Sequence, residues 1–108
     1  MDTTLQMPEV DVEGYLVDPA DWSEAVAEEL ARQENIQLAE DHWDVIRFIR
    51  ASYDEHQVIP DARFAIKHLT QRLGKDARNR LFELFPYGYV KQACKIAGMR
   101  RPRAWSTG

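Results

Sequence analysis

The residue best suited to covalent chemistry is Cys94, the single cysteine in a chain of 108 residues. Five basic residues accompany it in the last part of the sequence: Lys91, Lys95, Arg100, Arg101 and Arg103. Positive charge near a thiol favours the thiolate, which is the form that attacks sulfur electrophiles. The pattern therefore makes Cys94 a candidate reactive thiol.

A structural role for Cys94 has equal support from the residues. On a helix, Val90, Cys94 and Ala97 lie on one side, so the thiol would face a core as a small apolar group. Burial raises the pKa of a thiol whereas nearby cations lower it. The sequence leaves both interpretations open.

Other catalytic or cofactor-binding patterns are missing from the sequence. His42, His56 and His68 are scattered without the spacing of a zinc site, and neither a phosphate loop nor a nucleophile elbow is present. The acidic residues of one region favour a solvated helix face over a catalytic set: Asp41, Asp44, Asp54 and Glu55. We expect no metal, no cofactor and no independent catalytic turnover.

The charge distribution divides the chain into an acidic and a basic part. Residues 1–60 carry a balance of −12 and residues 61–108 a balance of +8. Two interpretations follow: a basic binding face, or acidic helices that pack beside basic ones and neutralise them. The stretch HLTQRLGKDARNRLFELF reads as helix–turn–helix, with Arg72, Lys75, Arg78 and Arg80 about its turn. A nucleic-acid-binding regulator is therefore the alternative function, with backbone contacts at most.

The elements that must position these residues are mostly helices. Apolar periodicity with capping and stop residues predicts five helices, over about residues 18–35, 39–56, 60–74, 77–85 and 88–97. VDVEGYLV (10–17) predicts a small β-hairpin. With 44% hydrophobic residues the chain suits a single compact domain over residues 1–108. The lack of an apolar membrane span or a leader pattern predicts a cytoplasmic protein with a reduced thiol.

Several segments together resemble the DsrC/TusE family of small sulfur-relay proteins over nearly the whole length. They are EGYL (13–16), DW (21–22), EDHWDVIRFIRASYDEHQ (40–57), P-x-x-R (60–63), LFPYG (84–88) and KQACKIAG (91–98). The resemblance implies a mainly α bundle with an N-terminal hairpin and a flexible C-terminal arm, here about residues 99–108. It implies sulfur carried as a persulfide or trisulfide. The implied partners are dissimilatory sulfite reductase or the relay for tRNA 2-thiouridine.

The C-terminal arm departs from the family pattern. The resemblance matches Cys94 to the helix cysteine of the DsrC branch, which pairs with a second cysteine on an arm reading roughly G-x-P-K-P-x-x-C-x. Here the arm reads GMRRPRAWSTG, and Trp105 stands where that cysteine is expected. An intramolecular trisulfide needs two thiols and is excluded. A single thiol can still hold a persulfide or form a mixed disulfide with a partner.

The altered arm suggests docking instead of transfer. Arginines suit acidic or phosphate surfaces, and a tryptophan suits an apolar pocket. Arg63 matches a family arginine on the neighbouring helix. The predicted partner-binding residues are Arg63, Lys91, Lys95, Arg100, Arg101, Arg103 and Trp105. We expect a divergent or regulatory paralogue that acts through sulfur-relay partners and is at most a sulfurtransferase-type carrier.

Overall fold

The computed structural model describes residues 7–101, and within them the regular structure is almost entirely helical. The four α-helices are α1 (Glu24–Gln33), α2 (Glu40–His56), α3 (Ala62–Leu73) and α4 (Ala77–Leu84). A π-helical segment, Tyr89–Cys94, follows them. Most of the predicted arm, including Arg103 and Trp105, lies outside the described residues.

The first predicted helix is interrupted. Asp18 caps a single 3₁₀ turn at Pro19–Asp21, and Trp22 then adopts an extended conformation with ψ of 146°. Ser23 starts α1 separately, because its side chain accepts a hydrogen bond from the amide of Val26 at 3.2 Å. The prediction of one helix from residue 18 was therefore wrong, since two competing caps lie five residues apart in the sequence.

Helix α2 begins without a capping side chain. Its N-cap residue is Ala39, whose amide instead donates to His42 Nδ1 at 2.9 Å. That bond leaves the proton of the ring on Nε2, which donates to the carbonyl of Leu84 at 3.0 Å. His42 thus joins the start of α2 to the end of α4, and burial lowers its pKa.

Helices α3 and α4 form a close pair. Asp61 caps α3 through a hydrogen bond from the amide of Arg63, and Gly74, with φ of 62°, ends it as predicted. A single 3₁₀ turn at Gly74–Asp76 leads directly into α4. The two helices pack against each other on either side of this turn.

The predicted hairpin and the fifth α-helix were wrong. Within residues 7–101, the N-terminal stretch contains a single antiparallel bridge between Val10 and Leu16. Asp11 Oδ1 accepts hydrogen bonds from the amides of Glu13 and Tyr15, and these bonds close a tight turn. The turn leaves too few residues for a ladder of strand pairs. The predicted last α-helix is largely π-helical, over Tyr89–Cys94.

Helix α2 lies at the centre of the core, as its broad apolar stripe predicts. Val45, Ile46 and Ile49 have no exposed surface, and each contributes about 1.5–3 kcal/mol through burial. The helix packs against α3 and against the π-helical segment, whose Cys94 and Ala93 are equally buried. None of the helices described is long and apolar enough to cross a membrane. A single domain over residues 1–108 stays a prediction.

Candidate thiol site

The C-terminal segment (residues 88–99) holds Cys94 between two glycines. Gly88 has φ of 117° and starts the π-helical segment, and Gly98 has φ of 81° and ends the helical path. Beyond it, the amide of Met99 returns to the carbonyl of Cys94 at 3.1 Å, which is the Schellman arrangement of a helix end. π-helical turns are frequent at functional sites.

Gln92 supports the π-helical geometry from inside the core. It is fully buried, and its Oε1 accepts the amide of Tyr87 at 3.0 Å. Its Nε2 donates to Glu34 Oε1 at 3.1 Å. A buried amide with partners on both sides fixes the register of the C-terminal segment against α1.

The thiol of Cys94 lies in the core with no exposed surface. Burial raises its pKa to about 12, and a hydrogen bond with Tyr89 opposes the rise without cancelling it. The single proton of the Tyr89 hydroxyl is donated to the carbonyl of Pro60 at 2.6 Å. The native protein therefore keeps Cys94 as a neutral thiol, and a sulfur donor cannot reach it without some opening.

The two flanking lysines point their charges elsewhere. Lys91 is exposed, whereas Lys95 Nζ pairs with Glu34 Oε2 at 3.1 Å and lies 5.1 Å from the centre of the Tyr15 ring. The hydroxyl of Tyr15 donates to the carbonyl of Val90 at 3.1 Å. Lys95 consequently holds the segment to Glu34, which follows α1, and to the N-terminal turn. Burial decides the direction of the pKa shift at Cys94.

The predicted partner-binding arginines do not converge on the thiol. Arg63 is exposed and pairs with Asp61 at 2.8 Å. Arg100 is exposed beside a surface cavity of about 590 Å³. Arg101 pairs with Glu13 at 3.0 Å. A role for these residues in binding a partner stays a prediction.

Sequence reasoning missed two residues that hold the end of the segment. Trp22 Nε1 donates to the carbonyl of Ile96 at 2.9 Å, and Arg50 Nη1 donates to the carbonyl of Ala97 at 3.1 Å. Both residues fall within the segments that carry the family resemblance. Their place in those segments was the signal that could have identified them. The contacts themselves join residues 74 positions apart for Trp22 and 47 positions apart for Arg50.

Two of the four basic residues around the α3–α4 turn belong to the charged face, a network of Asp41, Asp44, Arg72 and Arg80, whereas Lys75 and Arg78 are exposed. Arg72 bridges Asp41 and Asp44 at 2.9 Å to each, and Arg80 pairs with Asp41 at 2.9 Å. His68 also approaches Asp44 at 2.8 Å. Neutralisation of basic helices by an acidic one is thus confirmed here, and the nucleic-acid-binding alternative gains no support.

Metal ligation has no visible site in the described residues. No group of three or more histidine, cysteine, aspartate or glutamate side chains within residues 7–101 is placed to hold an ion. The carboxylates of the charged face are bound by arginines, which lower the pKa of Asp41.

These features define a small helical protein whose single thiol, on the C-terminal segment, is buried in the core. The chain belongs to the DsrC like protein family, whose model matches residues 3–104. It is 47% identical over 96 residues to the sulfurtransferase TusE of Yersinia pseudotuberculosis, covering 87% of this chain and 89% of that one. The TusE of Photorhabdus laumondii is 48% identical, with 87% and 86% covered.

Two solved structures share the fold. The oxidised γ-subunit of the dissimilatory sulfite reductase (DsrC) from Archaeoglobus fulgidus superposes with a TM-score of 0.82 at 35% identity, covering 91% of both chains. Allochromatium vinosum DsrC gives a TM-score of 0.77 at 44% identity, covering 89% of this chain and 88% of that one. The family resemblance and its mainly helical fold are confirmed.

Proposed function

We propose that this protein acts in sulfur relay by docking on partner proteins that carry reactive sulfur. The observation that carries the proposal is the family match, which spans residues 3–104. The relatives named sulfurtransferase TusE and the DsrC neighbours agree on sulfur chemistry. We infer that the partners of this chain are of the same kind: sulfur-relay proteins or a sulfite reductase.

The burial and raised pKa of Cys94 favour a regulatory paralogue over an efficient sulfur carrier. In a carrier step, the thiolate attacks the outer sulfur of a donor persulfide and forms a new S–S bond. The donor's S–S bond breaks, and the donor leaves as a thiolate that takes up a proton, which balances the one Cys94 released on ionising. A pKa of about 12 and full burial oppose both the ionisation and the approach. Docking is therefore the main activity, and persulfide uptake at Cys94 is slow.

A competition assay tests this function. A donor protein is persulfidated, and transfer of sulfur to a TusE-type relative with an arm cysteine is followed by intact mass. Excess of this chain should slow the transfer, and Cys94→Ala should slow it equally because docking does not need the thiol. Cys94→Ala also serves as the mass control for sulfur on Cys94.

The outcomes separate the two roles. Slower transfer without added sulfur on this chain supports docking, and the mass of one added sulfur atom that disappears in Cys94→Ala supports carriage as well. Transfer at an unchanged rate, together with no sulfur on Cys94, contradicts the proposed function. Arg63→Ala and Arg100→Ala then show whether the predicted partner-binding residues contribute to the competition.

A further inference from the structure

The end of the C-terminal segment is bound by side chains from other elements. The last carbonyls of a helix have no partner within the helix itself. Here the carbonyl of Ile96 accepts from Trp22 Nε1 at 2.9 Å, and that of Ala97 accepts from Arg50 Nη1 at 3.1 Å. The positive charge of Arg50 also complements the negative end of the helix.

The guanidinium of Arg50 contacts main-chain carbonyls and the ring of Trp22. The same Nη1 atom donates to the carbonyl of Pro19 at 3.1 Å, and the guanidinium lies 4.5 Å from the centre of the Trp22 ring. The side chain is half-buried, so the favourable contacts with carbonyls and the ring offset its lost hydration. Trp22 and Arg50 therefore act together.

Gly98 connects these contacts to the segment that carries Cys94. A Cβ atom on Gly98 would lie 2.3 Å from Cδ1 of Trp22, so the ring rests directly on the main chain. The next residue, Met99, is fully buried and donates its amide to the carbonyl of Cys94. Movement of the chain at Gly98 consequently disturbs the turn around Cys94.

We propose that Trp22 and Arg50 form a C-terminal clamp, a pair of positioning residues that holds residues 94–99 against the core and sets how often Cys94 becomes accessible. A reagent or persulfide donor has to wait for an opening, because Cys94 has no exposed surface. That opening breaks the hydrogen bonds to Ile96 and Ala97. The proposal rests on the proposed function only for its biological meaning, since a small reagent measures the opening directly.

The test compares two arginines of α2, each over a tryptophan ring. Arg50→Met keeps the length of the side chain and removes its donors. Arg47→Met is the matched control, because Arg47 lies 5.6 Å from the ring centre of Trp43 and shows no bond to the C-terminal segment in the described structure. We expect the aromatic disulfide 5,5′-dithiobis(2-nitrobenzoate) to modify Cys94 about 10- to 100-fold faster in Arg50→Met. Arg47→Met should react at the wild-type rate.

A second readout separates local opening from a general loss of stability. Amide hydrogen exchange at Met99 should accelerate by the same factor as the modification of Cys94. Exchange at Ile49, in the centre of α2, should follow the free energy of unfolding measured in urea. The proposal is overturned if Arg50→Met reacts no faster than Arg47→Met, or if lower global stability accounts for the whole acceleration.

Trp22→Phe keeps the proposal testable if Arg50→Met does not fold. The phenyl ring retains most of the contact with Gly98 but cannot donate to the carbonyl of Ile96. We expect modification of Cys94 to be about 5- to 10-fold faster than in wild type, with Trp43→Phe as the control. An unchanged rate in Trp22→Phe contradicts the clamp, whether or not the protein competes in sulfur transfer.

Discussion

Two regions of this molecule use their polar side chains in different ways. The charged face joins α2 to α3 and α4 through ion pairs, and its side chains keep 19–49% of their surface exposed. The C-terminal segment is held by hydrogen bonds from side chains to main-chain carbonyls over a buried core. Exposed ion pairs contribute little to stability, whereas buried hydrogen bonds are expensive to break.

The two clusters of basic residues differ in their structural role, although the sequence alone does not distinguish them. Arg72 and Arg80 lie in one such cluster, and carboxylates of α2 neutralise them. Lys91 and Lys95 lie in the other, where one is exposed and the other is paired with Glu34.

Gly98→Ala should be the most damaging single substitution in the C-terminal segment. Its φ of 81° is strained for alanine, and the new Cβ would overlap the Trp22 ring. We expect the free energy of unfolding to fall by about 2–4 kcal/mol, measured by urea denaturation. Gly98→Ala in a Trp22→Ala background is the control, because it keeps the strain of the positive φ and removes the ring. An equal loss with and without the ring would show that the contact with Trp22 is unimportant.

Tyr89→Phe should separate the buried hydrogen bond from simple packing. The substitution leaves the carbonyl of Pro60 without its partner at 2.6 Å and removes the contact with Cys94. We expect a loss of about 1–2 kcal/mol in the free energy of unfolding. Tyr87→Phe, on a side chain that is 76% exposed, should change it by less than about 0.5 kcal/mol. A neutral Tyr89→Phe would mean that this bond does not hold the segment.

The raised pKa of Cys94 predicts a loss of stability in alkali. In the unfolded chain the thiol ionises near pH 9.0, whereas in the native protein it stays neutral up to about 12. Stability from this group is therefore complete below pH 9 and is lost as the pH rises towards 12. Between pH 7 and pH 10 the wild type should lose about 1 kcal/mol more than Cys94→Ala. Identical pH profiles would show that Cys94 is hydrated in the native state.

Local signals predicted much of the fold. Gly74 marks the end of α3 as predicted, because a positive φ acts within a few residues, whereas the helix starts after the cap Asp61 and not at Pro60. The break before α1 was missed because Asp18 and Ser23 are both valid caps, and only tertiary contacts at Trp22 decide between them. The buried amide of Gln92 in the π-helical segment likewise has a remote partner, Glu34, which follows the end of α1.

The candidate site was less predictable than the fold. Helical spacing placed Cys94 on an apolar side, and the flanking lysines suggested the opposite environment. Glu34, which neutralises Lys95, lies 61 residues away in the sequence, so its effect was invisible there. The contacts of Trp22 and Arg50 with the last carbonyls are similarly remote. Helical spacing therefore indicated the burial of this thiol, whereas the long-range pairing that holds Lys95 is seen in no local pattern.

Asp41→Asn should show how little the charged face contributes. Asp41 accepts from both Arg72 and Arg80, and these bonds lower its pKa. We expect a loss of about 0.5–1 kcal/mol in the free energy of unfolding at pH 7. Glu40→Gln, in the same first turn, is the control for the interaction with the helix dipole.

Salt and acid then distinguish the charged face from the C-terminal segment. High salt should reduce the effect of Asp41→Asn because ions screen exposed charges, but it should leave the effect of Tyr89→Phe unchanged. The pKa of Asp41 in the native protein lies below the ordinary value of 3.8. Its contribution to stability is therefore complete above pH 3.8 and is lost as the pH falls through the native pKa. A loss at Asp41 that matches Gly98→Ala and persists in high salt would reverse the comparison, making the ion pairs the main support of the fold.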